Sequence, residues 1–218
     1  MRSVLEVCVD STASALAAKR GGASRLELCA DLIVGGTTPS LALVRQVRRE
    51  TGLPVPCSWL AVPGSEISVT TATSLPDGTA GRRAGGGRGG WYRDRCADPG
   101  RQLDADAMRP IYAAARRAAE KAGRPVACTL HRAFDVSADP FAALETVRNM
   151  GLCTILTSGQ AASAPEGAEL LGRLVERAGD SVEILVGAGV TAQNIPALAA
   201  QTGHMRSTFP ASRCCKAA

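Results

Sequence analysis

The sequence predicts a single α/β domain built as a parallel (β/α) barrel. Short aliphatic runs alternate with longer helical segments along most of the 218 residues, which is typical of repeated βα units. In the first two short runs, acids and cysteines alternate with aliphatic residues, so one face of each strand is polar. A polar face towards a barrel axis, with an apolar face towards surrounding helices, fits this pattern better than an open sheet buried on both faces.

The elements follow from capping residues and periodicity. Ser11 or Thr12 caps the first helix, Gly21 and Gly22 end it, and Gly52 closes the second helix. Six strands are at least begun, two fewer than a (β/α)8 barrel of the TIM type needs. The predicted order is strand Val4–Val9, helix Ser11–Arg20, strand Arg25–Cys29, helix Ser40–Thr51, strand start Leu53–Val55, helix Asp104–Ala122, strand Val126–Leu130, helix Pro140–Met150, strand Cys153–Thr157, helix Pro165–Ala178, strand Val182–Val186 and helix Ala192–Gln201.

Composition narrows the class of protein. With 45% hydrophobic residues, the chain can bury one sizeable core, and it contains no run of about 18 apolar residues that would span a membrane. The N-terminus enters a strand pattern directly, without a secretory signal, so we expect a cytoplasmic protein. The eight cysteines lack zinc-type pair spacing, and we expect reduced thiols.

The net charge of +5 comes entirely from two segments. Residues 57–103 carry +2 and residues 204–218 carry +3, which leaves the rest of the chain neutral. A basic surface for nucleic acid is therefore not predicted. The sequence does not fix the oligomeric state, and a homo-oligomer is compatible with it.

The first two strands are near copies of each other, 21 residues apart. Leu5-Glu6-Val7-Cys8-Val9-Asp10 repeats as Leu26-Glu27-Leu28-Cys29-Ala30-Asp31. Glu6, Cys8 and Asp10 then share one face of the first strand, and their counterparts share the same face of the second. Acids near the carboxyl ends of strands lie where barrels place their active sites.

These segments resemble the opening of the CutC copper-homeostasis family, and the similarity resumes after residue 102. The resemblance implies a cytoplasmic (β/α) barrel associated with copper handling, and it does not decide whether the chain is an enzyme. The segments that carry it are Glu6–Asp10, Gly21–Cys29, Gly35–Ser40, Leu103–Asp104, His131–Asp135, Leu156–Gln160, Glu166–Gly167, Val186–Val190 and Asn194.

Two segments, 57–102 and 204–218, depart from the family pattern. Pro76–Gln102 contains no Val, Ile, Leu, Met or Phe, so it cannot supply a buried strand. Shifting the reading frame of plausible codons restores a family-like Arg-Pro-Arg-x-Gly-Asp-Phe-x-Tyr motif from Ala61–Thr71 and a His-Val-Ser motif from His204–Pro210. We therefore predict one domain over 1–218 with frame errors in both segments and with barrel strands four and eight disrupted. The alternative is a divergent loop and tail.

Cys8 and Cys29 are the candidate metal ligands. They occupy matching positions on predicted neighbouring strands, which lie roughly 5 Å apart in a sheet. Two thiolates at such a separation can hold Cu(I), which prefers sulfur, and the resemblance implies copper binding at these positions. The alternative is that both cysteines are small packing residues.

A polar centre is predicted from Glu6, Glu27, His131, Arg132 and Asp135. A histidine beside carboxylates can serve in acid/base catalysis, and Arg132 can pair with buried acids. The alternative is a structural ion-pair network that fills the barrel. No catalytic residue is assigned beyond these candidates.

Two later loops are candidate anion sites, since glycine lets backbone amides approach phosphate or carboxylate after a barrel strand. Their residues are Thr157, Ser158, Gly159, Gly187 and Gly189. The alternative is that glycine serves only a tight turn.

The sequence thus supports two functions. The first is a copper-homeostasis protein that binds Cu(I) through Cys8 and Cys29. The second is a barrel enzyme acting on a small anionic metabolite, a phosphate or carboxylate. The expected partner is correspondingly a copper ion or a small anionic ligand.

Overall fold

The computed structural model describes residues 4–32, 39–55, 67–70, 102–121, 127–203 and 206–210. Strands and helices alternate through these residues, as predicted, with bounds within one to three residues of the predicted ones where both exist. The elements are β1 (Val4–Val9), α1 (Thr12–Arg20), β2 (Arg25–Leu28), α2 (Leu41–Thr51), β3 (Ile67–Thr70), α3 (Ala105–Lys121), β4 (Ala127–Leu130), a 3₁₀ helix (Arg132–Val136), α4 (Pro140–Met150), β5 (Thr154–Thr157), α5 (Ala168–Ala178), β6 (Glu183–Val186), α6 (Ile195–Thr202) and β7 (Arg206–Pro210).

One sheet in the order β2-β1-β7-β6-β5-β4-β3 contains all seven of these strands. Neighbouring strands from β2 to β4 run parallel, as in a singly wound barrel. On the free side of β2, the Leu26 amide donates to the Pro54 carbonyl at 3.0 Å. This contact places the predicted strand start at Leu53–Val55 beside β2, where a barrel has its third strand.

The last strand, in the segment 204–218, contradicts one prediction. We predicted that the eighth strand would be disrupted, but the backbone of Arg206–Pro210 forms β7 between β1 and β6, parallel to both. The physical reason is that ladder hydrogen bonds need an extended main chain and accept many side chains. Residues 204–205 and 211–218 lie outside the described part of the chain.

The fourth barrel position is irregular, as predicted. Instead of a parallel strand, β3 lies beside β4 and runs antiparallel to it, with Ile67 opposite Leu130. The rest of the predicted abnormal segment, at 57–66 and 71–101, lies outside the described residues. Frame error in the gene remains a prediction for both segments, and the nucleotide sequence tests it.

The strands divide the interior as their alternation predicts. Val7, Val9, Leu26 and Leu28 are buried in the core cluster between the sheet and the helices. The alternate residues point towards the barrel axis, and these include Glu6 and Cys8 of β1 and Glu27 of β2, with Cys29 directly after β2. Capping fixes the strand-to-helix turn after β1, because Ser11 and Ser14 form a reciprocal capping box at the start of α1.

Candidate functional site

The register of β1 and β2 arranges the axial residues in layers. Glu6 lies beside Arg25, and Cys8 lies beside Glu27, one pair above the other along the axis. Cys29 follows one layer further on, because its backbone amide donates to Val9 at 2.9 Å. Arg25 is the first residue of β2, so the lower layer lies towards the amino ends of the strands.

The lower layer is an ion cluster around Glu6. Its carboxylate pairs with the Arg25 guanidinium, which also reaches Glu183 of β6 at 3.3 Å. Glu6 is only 4% exposed, and burial raises its pKa from 4.5 to about 7 against the opposing effect of Arg25. Glu6 therefore contributes to an internal ion network that crosses the barrel. This arrangement favours a structural role for Glu6 over a catalytic one.

Arg25 and Glu183 were not among the predicted site residues. Arg25 could have been predicted from its position, because it precedes Glu27 by two residues and therefore lies on the same face of the strand. Glu183 offered a weaker signal, because it is separated from Arg25 by 158 residues and only the closing of the barrel brings the two together.

The predicted thiol pair lies further towards the carboxyl ends of the strands and spans the next two layers. The Sγ atoms of Cys8 and Cys29 are 3.9 Å apart, and Cys29 is buried while Cys8 is half-buried. The contact with Cys29, burial and the neighbouring Glu27 carboxylate raise the pKa of Cys8 far above its usual range. The Cys8 thiol is therefore protonated at neutral pH, and a metal ion that binds it has to displace a proton.

His131 lies at the carboxyl end of β4, close to Glu27. It follows β4 directly, and its Nε2 is 3.9 Å from Oε1 of Glu27. The imidazole is about one-third exposed, whereas the Glu27 side chain is largely covered. The structure thus brings Cys8, Cys29, Glu27 and His131 together at the carboxyl end of the barrel, the face that carries active sites in such folds.

Arg132 and Asp135 belong to a separate cluster between β4 and β5. Arg132 Nε donates to Asp135 at 2.8 Å, and its Nη2 donates to the Ser158 hydroxyl at 3.0 Å. The Asp135 carboxylate also accepts the Thr157 hydroxyl, the Ser158 amide and hydroxyl, and the Gln160 amide. Asp135 thereby fixes the loop after β5.

This cluster bears on the predicted anion site at Thr157, Ser158 and Gly159. The Ser158 amide binds the carboxylate of Asp135, and the Gly159 amide donates to the Thr157 hydroxyl at 2.9 Å. The Asp135 carboxylate thus occupies a backbone donor that an external anion would use. The contacts favour a structural role for this loop, and anion binding there remains a prediction.

The second glycine loop follows β6. The Gly187 amide continues the sheet ladder by donating to the Thr157 carbonyl at 3.0 Å. Ala188 and Gly189 have φ values of 68° and 69°, and Gly189 packs so closely on Ser163 that an added Cβ would lie 2.9 Å from its side chain. Close packing explains this glycine, and anion binding at Gly187 and Gly189 likewise remains a prediction.

Two features are absent from the described residues. These residues contain no group of three or more His, Cys, Asp or Glu side chains arranged to hold a metal ion. They also contain no helix whose length and apolar character would allow it to cross a membrane.

Comparison with known proteins decides the family. A family model described as the CutC family matches residues 3–63 and 96–209. A CutC family protein of Chromobacterium violaceum is 40% identical over 204 residues, which are 93% of this chain and 78% of that protein. The chain belongs to the CutC family. A human CutC relative, the copper homeostasis protein cutC homolog, is 34% identical over 192 residues, which are 88% of this chain and 67% of the human protein.

Solved structures agree on the fold. A CutC structure from Streptococcus agalactiae matches with a TM-score of 0.67 at 22% identity, over 96% of this chain and 99% of that one. A proposed phosphonomutase from Burkholderia cenocepacia matches with a TM-score of 0.58 at 15% identity, over 99% and 90%. At these identities the likeness concerns the α/β barrel architecture alone.

The match to the family model also shows which parts of residues 57–102 and 204–218 resemble the CutC family. It leaves residues 64–95 unmatched and extends through 204–209. The first part of the tail, including β7 except its last residue, therefore falls within the match to the family model, whereas the Gly/Arg-rich stretch does not.

Proposed function

We propose that this CutC protein serves copper homeostasis in the cytoplasm by holding one Cu(I) ion between Cys8 and Cys29. The observation that carries the proposal is the 3.9 Å separation of the two sulfur atoms inside the barrel. Thiolate sulfur is the ligand type that Cu(I) prefers. The family relationship to copper homeostasis proteins supports the same metal.

The separation suits a bridging ion. A first-row metal binds thiolate at about 2.3 Å, so two sulfurs on opposite sides of one ion lie roughly 4.6 Å apart. The observed 3.9 Å is slightly shorter, and a small rotation of either side chain opens the pair enough to admit the ion.

The backbone geometry opposes the competing disulfide. Cys8 lies beside Glu27, so Cys29 is two residues further along β2. With strands about 4.8 Å apart and a rise of about 3.3 Å per residue, the two Cα atoms are roughly 8 Å apart. Disulfides need Cα separations below about 7 Å. The stagger therefore keeps both thiols available to a metal.

The test is a Cu(I) competition titration against a chromophoric chelator under anaerobic conditions. Cysteines outside the described residues are first replaced by serine, which leaves four thiols; the replaced residues are Cys57, Cys96, Cys214 and Cys215. In this background we expect Cys8→Ser and Cys29→Ser each to weaken Cu(I) binding at least 100-fold. Cys153→Ser, which removes an exposed thiol elsewhere, is the matched control. Unchanged affinity in both of the first variants would contradict the proposal.

The alternative function, a barrel enzyme acting on a small phosphate or carboxylate metabolite, rests on the residues at the open end of the barrel. The observation in its favour is that His131 and Arg132 are each about one-third exposed there. A thermal-shift screen against small anions tests it, with Arg132→Gln as the comparison. Stabilisation by an anion that disappears in this variant would support the enzyme, and an identical response in both proteins would count against it.

A further inference from the structure

A second thiol pair lies at the opposite end of the strands. Cys128 is in β4, and Cys153 immediately precedes β5. The register pairs Thr129 with Thr154, which places Cys128 and Cys153 side by side, and the Cys153 amide donates to the Cys128 carbonyl at 3.2 Å. Cys128 is buried, whereas Cys153 is exposed.

The register gives this pair a shorter Cα separation than that of Cys8 and Cys29. Residues side by side on neighbouring strands have Cα atoms about 4.8 Å apart. That value lies inside the 4.4–6.8 Å range of disulfides, whereas the staggered pair at about 8 Å lies outside it. Neighbouring residues of parallel strands also direct their side chains to the same face of the sheet.

The surroundings place the pair between the sheet and α3. Tyr112 of α3 donates its hydroxyl to the Gly151 carbonyl at 2.7 Å, two residues before Cys153. Burial, and then the proximity of Cys128 and Cys153, raises the pKa of the Tyr112 phenol. Tyr112 therefore lies beside the chain segment that leads into Cys153. Cys128 is only 1% exposed, so solvent reaches the pair from the side of Cys153.

We propose that Cys128 and Cys153 form a reversible disulfide when the protein meets a hydroperoxide. In the first step the Cys153 sulfur attacks the peroxide O–O bond, giving a sulfenic acid and releasing an alcohol, or water from hydrogen peroxide. In the second step the Cys128 sulfur displaces the sulfenic hydroxyl, which leaves as water after taking up the thiol proton. Two thiols are oxidised by two electrons, and the peroxide is reduced.

Exposure sets the order of the two steps. Oxidation by peroxide requires access to solvent, which Cys153 has and Cys128 lacks. Burial raises the pKa of Cys128 to about 12, so this thiol is protonated at neutral pH and reacts poorly with peroxide itself.

Peptide mapping of the intact chain tests the proposal. After exposure to hydrogen peroxide and alkylation of the remaining thiols, trypsin should release residues 122–132 joined to residues 149–173, with the loss of two hydrogens. Dithiothreitol should restore both thiols. A disulfide between Cys8 and Cys29 would instead join residues 3–19 to 26–45.

Two variants define the roles. Cys128→Ser should accumulate sulfenic acid and then sulfinic acid at Cys153, and Cys153→Ser should leave Cys128 reduced at the same peroxide dose. The proposal is overturned if wild-type Cys153 passes to sulfinic acid while Cys128 stays free, or if both thiols remain reduced. Because the pair is separate from Cys8 and Cys29, loss of Cu(I) binding in the earlier titration would leave this result unaffected.

Discussion

Replacing Glu6 by glutamine should remove a pH-dependent part of the stability of the protein. The pKa of Glu6 is 4.5 when unperturbed and about 7 in the folded chain, where burial is the main cause. Above pH 4.5 the unfolded chain has lost the Glu6 proton while the folded chain still holds it, so the free energy of unfolding falls as the pH rises. The difference of roughly 2.5 pKa units corresponds to about 3 kcal/mol, lost between pH 4.5 and 7.

The assay is urea unfolding followed by circular dichroism at several pH values from 4.5 to 8. Glu6→Gln keeps the shape of the side chain and has no proton to lose in this range. We expect the wild-type free energy of unfolding, relative to that of the variant, to fall by about 3 kcal/mol up to pH 7 and then to level off. Glu176→Gln, which removes an exposed carboxylate of α5, is the control. A wild-type minus Glu6→Gln difference that stays constant within about 1 kcal/mol, or that rises with pH, would refute the reasoning.

Three further predictions concern the loops and the thiols. Asp135→Asn should lower the free energy of unfolding by about 3 kcal/mol in urea titrations, because an amide cannot accept every hydrogen bond that the carboxylate accepts. A loss below about 1 kcal/mol would argue against the stabilising role of these hydrogen bonds. Gly167→Ala should destabilise the chain strongly in thermal melts, since the new Cβ would lie 1.9 Å from the Ser158 carbonyl oxygen. Gly172→Ala, with its nearest contact at 3.4 Å, should have a small effect, and similar melting points for the two variants would exclude the steric argument. The Cu(I) dissociation constant should fall at least tenfold per pH unit between pH 6 and 8, because binding two thiolates displaces the Cys8 proton and any proton held by Cys29, and titrations that give a flat profile would show that no proton leaves.

Much of the fold follows from patterns that are local in sequence. The period-two alternation in Val4–Val9 and Arg25–Leu28 gave the polar inner face, and the 21-residue repeat placed Cys8 and Cys29 at matching positions. Parallel neighbouring strands then bring the two sulfurs close, to the observed 3.9 Å. The sequence therefore predicted the neighbouring strands and the shared face, but not the register, which sets Cys8 beside Glu27 and leaves Cys29 two residues further on.

Contacts that depend on distant strands could not be read in the same way. The partner of Arg25 on β6 follows only from the order in which the strands close the barrel. Asp135 was predicted as a member of the polar centre, and it does pair with Arg132, but its other partners are backbone and hydroxyl groups of the next βα loop. A carboxylate that satisfies a neighbouring loop resembles a catalytic carboxylate in sequence, because both follow a strand at the same end of the barrel.

Strand register explains why two thiol pairs in one barrel are suited to different chemistry. A stagger of two residues between Cys8 and Cys29 leaves the backbones too far apart for a disulfide, while flexible side chains still bring the sulfurs within reach of one ion. No such stagger separates Cys128 from Cys153, and their backbones are close enough for a covalent bond. An oxidant that joins the second pair would therefore leave the first pair reduced and able to bind copper. Measuring Cu(I) affinity before and after mild peroxide treatment shows whether the two chemistries are independent in this way.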